Sequence, residues 1–339
     1  MKKHIAITLV STLSLFASDP LIKQAKDAGL VAIPTSQAEL MKLIDNPNNP
    51  ITQAKVELGK QLYFDPRLSK SGLISCNTCH NLSKGGDDGM EAAVGHKWTA
   101  NPHHLSSPTV YNAVFNTKQF WDGRSPDLED QAQGPIQAAP EMAATPQHVV
   151  QTVTSMPAYV DAFKKAYGKD VTIDFKKVAD TIATFERTLV TPAPFDAFMH
   201  GKSDTLTQQQ KDGLKTFIQV GCTSCHNNVA LGGSMAPMNV AATYKYMNVG
   251  DFKGDKDGMV RVPTLRNITE TAPYFHNGKI RTLKEAINEM ARVQLGTKLT
   301  PKQTADIEAF LGALDGKKPD ITLPILPASN AKTPQPDLN

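Results

Sequence analysis

The chain has 339 residues, 40% hydrophobic and 20% charged, a soluble globular balance in a length sufficient for two domains. Its formal net charge of +3 comes from scattered lysines and arginines, with no basic stripe to bind nucleic acid. Past the first residues no apolar run reaches the ~20 positions of a membrane span, which excludes stable membrane insertion.

The first element in chain order is an export signal. "MKKHIAITLVSTLSLFASD" joins a basic end (Lys2, Lys3) to an apolar stretch, Ile5 to Phe16, and the small pair Ala17-Ser18. This predicts a signal peptide over residues 1–18 and an exported mature chain.

A short helix around "VELGKQLYF" leads into "CNTCH" (Cys76, Cys79, His80), and a second such motif, "CTSCH" (Cys222, Cys225, His226), follows later. The two motifs hold all four cysteines, so none remains for a disulfide. Two thiols three positions apart reach the two vinyl groups of one haem, and the next residue puts its imidazole on the iron. A zinc knuckle would need further Cys or His at ligand spacing, and a redox dithiol does not require the histidine. The motifs therefore predict two covalent c-type haems with His80 and His226 as proximal ligands.

Beyond the first motif, Gly72, Gly85, Gly86, Gly89 and Gly95 surround the haem site, and His96 follows His80 by 16 residues. A mobile glycine loop could carry His96 as a sixth ligand able to leave. His103, His104, His148, His200 and His276 are alternatives, and a plain surface histidine is the simplest reading. Next, "SPTVYNAVFNTKQFWDG" aligns without a gap to "VPTLRNITETAPYFHNG" in the second half, matching Pro108/Pro263, Thr109/Thr264, Asn112/Asn267, Phe120/Phe275 and Gly123/Gly278. Val178, Ile182, Phe185 and Leu189 then mark one face of a helix, and "TPAPF" (191–195) reads as a linker.

The second half repeats the order. "QKDGLKTFIQV" precedes its haem motif, and Gly232-Gly233 follows it as Gly85-Gly86 follows the first. "DFKGDKDG" (Asp251, Asp255, Asp257) reads as a solvated loop in preference to a metal site. Met290, 64 residues after His226, is a candidate thioether ligand, which would raise that haem's potential. Met235, Met238, Met247 and Met259 compete for the role. A last helix has Thr300 as N-cap, Pro301 at its first position, and Ile307, Phe310, Leu311 and Leu314 on one face. The tail "PASNAKTPQPDLN" is expected to fray. Little alternates with period two, so the predicted fold is all-α: two cytochrome c-like domains arising from an internal duplication, each with one covalent haem.

These residues resemble the bacterial dihaem cytochrome c peroxidases. "CNTCHNLSKGGDDG", "GHKW", "SPTVYNAVFN", "FWDGR", "DQAQGPIQ", "GCTSCH", "TAPYFHNG" and "QLGT" occur in that family's order across the mature chain. The resemblance implies a periplasmic enzyme that reduces hydrogen peroxide to water with electrons from a small soluble donor, a cytochrome c or a cupredoxin. It implies a peroxidatic, low-potential haem domain over 42–191, with His96 leaving the iron on reductive activation. It implies a high-potential, electron-receiving domain over 192–339, with His226 and Met290 as axial ligands and 19–41 packed on it. Gln131 and Glu141 match the residues over the peroxidatic iron, where an amide can orient peroxide and a carboxylate can shuttle its proton. Trp121 matches the tryptophan between the haems. One calcium ion is implied at Ser106, Thr271 and Pro273, where Ser106 replaces the usual asparagine and is a poorer ligand. A homodimer is implied too. The rival readings are a non-catalytic dihaem electron carrier and a MauG-like oxidase, which expects Tyr where Met290 stands.

Overall fold

A computed structural model of the chain describes residues 19–339, and the expected signal peptide lies outside the described residues. The fold is mostly helical. In chain order its helices are α1 (Pro20–Asp27), α2 (Gln37–Ile44), α3 (Gln53–Phe64), the single turn α4 (Cys76–Cys79), α5 (Leu128–Gln131), α6 (Gln133–Gln137), α7 (Pro146–Ser155), α8 (Pro157–Tyr167) and α9 (Phe175–Glu186). After these come α10 (Pro194–Met199), α11 (Gln208–Gln219), α12 (Leu283–Leu295) and α13 (Pro301–Gly312). Side chains start the long helices: Thr52, Asp174, Thr207 and Thr300 each accept a hydrogen bond from the backbone N–H three residues on. At Thr207 and Thr300 a glutamine, Gln210 or Gln303, returns the bond, completing a capping box.

Two large apolar clusters form. One gathers Leu58, Leu62, Tyr63, Val178, Ile182 and Phe185; the other gathers Leu214, Phe217, Ile307, Phe310 and Leu311. Each is organised by one close helix crossing, α3 on α9 and α11 on α13, and each crossing has a glycine at its contact. A Cβ at Gly59 would lie 2.2 Å from the Thr181 carbonyl oxygen, and one at Gly213 would lie 1.8 Å from that of Asp306. Any larger residue would push the helices apart and open both cores.

Three features depart from expectation. Strands β1 (Met235–Pro237) and β2 (Met259–Arg261) pair antiparallel, each too short to leave an alternating pattern. The segment "TPAPF" is not a free linker: Thr191 is fully buried, Pro194 opens α10 and Phe195 is in the second core. The tail is docked on the first half. Arg67 donates to the Pro327 carbonyl at 2.8 Å, Ser155 meets Thr333 at 2.9 Å, and Lys70 donates to the Asn339 carbonyl at 2.8 Å. At the opposite end, residues 19–33 lie on the second half: Lys211 reaches Asp19 at 2.9 Å and the Ile33 N–H donates to Asp196 at 2.8 Å.

Candidate haem sites

The second CxxCH motif opens at Gly221 (φ +96°) and continues as a short 3-10 turn, Cys222–Ser224. His226 is buried, and its Nδ1 lies 3.1 Å from the Leu231 carbonyl, which can only accept. Nδ1 therefore carries the proton and Nε2 keeps its lone pair. Burial pushes this imidazole's pKa down to about 4, so it stays neutral and fit to bind a metal. Cys222, Cys225, His226 and Met290 all line one largely apolar cavity with about 1700 Å³ of empty space, its mouth included. Of the competing methionines, Met238 shares the lining; Met235, Met247 and Met259 do not.

The first motif is α4, where the Ser75 N–H donates to the Thr78 hydroxyl at 3.0 Å. His80 repeats the tautomer lock, with Nδ1 2.9 Å from the Pro108 carbonyl, and burial lowers its pKa. In both halves the neighbouring threonine ties the loop down: Thr109 donates to the Gly85 carbonyl and Thr264 to the Ala230 carbonyl, each at 2.6 Å. Burial pushes the Cys79 and Cys222 thiols up to about 12, and Cys76 up as well. Reactive dithiols and zinc thiolates need the opposite shift, whereas thioether formation needs no resident thiolate. The donor set and the tautomers fit covalent haem at both motifs, and the apolar cavity adds to that fit at the second.

The loop bearing His96 touches this first motif: the Val94 carbonyl lies 3.4 Å from Cys79 Sγ. It also presses on the Glu141 segment, since a Cβ at Gly95 would lie 1.9 Å from the Pro140 carbonyl oxygen and 2.8 Å from Glu141 Cα. His96 is buried, its Nδ1 has no partner among the described residues, and it borders a separate cavity with Lys70, Gln137 and Asn339 that Cys76, Cys79, His80, Gln131 and Glu141 do not line. Burial raises the Glu141 pKa above the usual carboxylate range, against the pull of Arg124 and His103. Gln131 ends α5, which packs on α9. The expected looseness of the glycine loop is absent at Gly85, where a Cβ would lie 2.6 Å from the Glu270 carbonyl oxygen. That glycine is there for close approach.

The comparisons with known proteins agree with this geometry. The profile of the di-haem cytochrome c peroxidase family matches residues 53–204. The cytochrome c551 peroxidase of Pseudomonas aeruginosa is 48% identical over 299 residues, covering 85% of this chain and 86% of that protein. The chain belongs to the di-haem cytochrome c peroxidase family. The cytochrome c551 peroxidase of Nitrosomonas europaea is 47% identical, covering 82% of this chain and 85% of its own. Among solved structures, a MauG-like protein associated with microbial copper homeostasis superposes with a TM-score of 0.70 at 25% identity, over 80% of this chain and 93% of that one.

In this family member Trp121 lines the second cavity, and its indole N–H donates to the Ser106 carbonyl at 3.0 Å. Ser106, Thr271 and Pro273 line the same cavity, although the Ser106 hydroxyl donates to the Met90 carbonyl at 3.1 Å. The three offer neutral oxygens and no carboxylate, a partial fit to calcium. Of the other histidines, three have hydrogen-bond partners, whereas the Nε2 atoms of His104 and His276 are buried without one among the described residues. His103 meets Asp251 at 2.8 Å, His148 the Arg67 carbonyl at 3.0 Å, and His200 the Ile33 carbonyl at 2.9 Å. His104 stands 3.9 Å from Glu91, beyond hydrogen-bond reach, and His276 lines the second cavity. Asp255 accepts from the backbone N–H groups of Asp257 and Met259, the signature of a self-capped loop. Sequence reasoning missed Arg261, which lines the second cavity from β2 and whose charge had no visible partner.

Proposed function

We propose that this protein is a periplasmic di-haem peroxidase that reduces hydrogen peroxide to water, using electrons from a small soluble cytochrome c or cupredoxin. The observation that carries the reading is an asymmetry. His226 shares its cavity with Met290, whereas the first motif touches a glycine-tethered loop carrying a buried histidine whose Nδ1 has no partner among the described residues, beside a carboxyl of raised pKa. An electron carrier has no use for that difference. Two domains, 42–191 and 192–339, related by duplication and each with one haem, agree with the matched turns and helix crossings.

Bound at both motifs, haem supplies electron transfer at the second site and reductive cleavage of the peroxide O–O bond at the first. The protein's part is to position, protect and move protons. Carbonyls of Pro108 and Leu231 hold the His80 and His226 tautomers, leaving each Nε2 to the iron. Met290 completes the second site and favours its reduced state. His96 caps the first site and excludes peroxide until its loop moves. Gln131 then orients peroxide through its amide, and Glu141 shifts a proton from one peroxide oxygen to the other. Because burial raises its pKa, Glu141 holds that proton to higher pH than an exposed glutamate would. Trp121 spans the gap between the sites. Two electrons and two protons convert one peroxide into two waters. Calcium at Ser106, Thr271 and Pro273, and a homodimer, complete the proposal.

The test is peroxide-dependent oxidation of a reduced small cytochrome by the half-reduced protein. Turnover that requires this prior reduction supports the reading. No turnover would leave an electron carrier, and peroxide consumption without donor oxidation would point to an oxidase acting on another protein.

A further inference from the structure

Three arginines are buried among the described residues, and two have carboxylates. Arg266 takes both oxygens of Asp196 at 2.9 Å each, and Arg187 lies 3.5 Å from Glu129 and 3.6 Å from Asp45. Arg261, only 3% exposed, has no ion-pair partner among the described residues. Its backbone N–H donates to the Trp121 carbonyl at 2.8 Å and its Nε to the Phe120 carbonyl at 3.0 Å. That leaves the two terminal nitrogens, with four N–H groups, lacking an acceptor among the described residues. The side chain is not adrift: Arg261 ends β2 in register with Met235, and its guanidinium stands 5.8 Å from the Trp121 ring centroid.

A buried, unpaired guanidinium is costly, so such a group signals a missing anion. Burial alone pushes its pKa down to about 10, with no acidic neighbour to oppose it. Arg261 lines the cavity that also holds Cys222, Cys225, His226 and Met290. The carboxylates a haem brings into that cavity are its propionates, and a guanidinium fork matches a carboxylate in geometry and charge.

We propose that Arg261 binds a propionate carboxylate of the haem held by Cys222, Cys225 and His226, and thereby sets that haem's potential. It is a positioning residue: its side chain also holds the Phe120 carbonyl while its backbone N–H holds that of Trp121, so the propionate and the indole are fixed together. A cation beside the haem favours its reduced state, and losing it leaves the propionate charge uncompensated.

This inference rests on the haem reading above, so each preparation is first assayed for haem as the pyridine haemochrome. Fewer than two haems in the wild-type protein would overturn that reading, and the inference with it. With two haems present, potentiometric titration of Arg261→Gln should show a lower midpoint at the second haem and an unchanged midpoint at the first. The propionate bending band in resonance Raman spectra should shift, and Arg261→Lys should restore most of the midpoint. An unchanged second midpoint and band, or a shift confined to the first haem, would overturn the proposal. If Arg261→Gln fails to mature, Arg261→Lys alone decides: exchanging a fork for a point charge must move the band, and an unmoved band rejects the contact.

Discussion

Asn112 and Asn267, at matching positions of the two halves, both adopt left-handed backbone (φ +60° and +59°) and converge on one hydroxyl, that of Thr191. Their amides donate to Thr191 Oγ1 at 2.8 and 2.9 Å, and their backbone N–H groups donate to Leu189 and Leu314. Asparagine tolerates this backbone better than other non-glycine residues. Removing either amide strands a buried partner, so Asn112→Ala or Asn267→Ala should each cost about 2–4 kcal/mol. Urea unfolding checks the magnitude. The double variant should cost less than the sum, because both amides share one acceptor, and strict additivity would count against that sharing.

The His96 loop is held by a contact that a methyl group would break. Gly95→Ala puts a carbon 1.9 Å from the Pro140 carbonyl oxygen, so the loop must shift. Peroxidase activity of the fully oxidised protein should rise about tenfold, equivalent to ~1.4 kcal/mol of gate stability, with loss of the six-coordinate spectrum at the first haem. His96→Gly should remove the need for prior reduction altogether. Steady-state assays with and without pre-reduction check both, and an unchanged requirement in His96→Gly would reject the gate.

Glu186 gives stability a pH dependence. Burial, helped by the charge of Glu129, raises its pKa from 4.5 to about 8, and its Oε2 has no partner among the described residues. The folded state therefore binds the proton more tightly than the unfolded state. The stabilisation is full below the unfolded pKa of 4.5 and is lost as pH rises through about 8. The loss approaches, as an upper bound, on the order of 4 kcal/mol. Glu186→Gln should flatten the alkaline fall in unfolding midpoint between roughly pH 5 and pH 9, and an unaltered slope would remove Glu186 as its cause.

Ser106 should limit calcium affinity. Its hydroxyl is engaged by the Met90 carbonyl, and an amide oxygen would be a better ligand beside the carbonyls of Thr271 and Pro273. Ser106→Asn should tighten calcium binding about tenfold, or ~1.4 kcal/mol, in calorimetric titration of the chelator-treated protein. Equal affinities in the two proteins would place the ion elsewhere.

What the sequence disclosed follows from what fixes spacing. The thioether chemistry dictates Cys76-Cys79-His80 and Cys222-Cys225-His226 whatever surrounds them, so these were legible at once. Caps act over three residues, and Thr300 with Pro301 could be read directly. The gap-free match of Asn112 to Asn267 was visible, but its cause at Thr191 was not, because three distant segments meet there. Gly85 looked like a hinge since a glycine needed for close packing and one needed for freedom are the same letter. The tail looked loose because Arg67 and Lys70 hold its backbone carbonyls, contacts that leave no residue-type signature. Arg261 stayed hidden because a lone charge in a three-residue strand names no partner.

The two ends of the described chain are crossed: residues 19–33 clasp the second half, and 325–339 clasp the first. A single peptide-bond cut between Thr191 and Pro194 would therefore yield two fragments that each still hold a piece of the other's surface. The nicked protein should travel as one species through gel filtration and come apart only in denaturant, so proteolysis at the junction is no route to isolated haem domains.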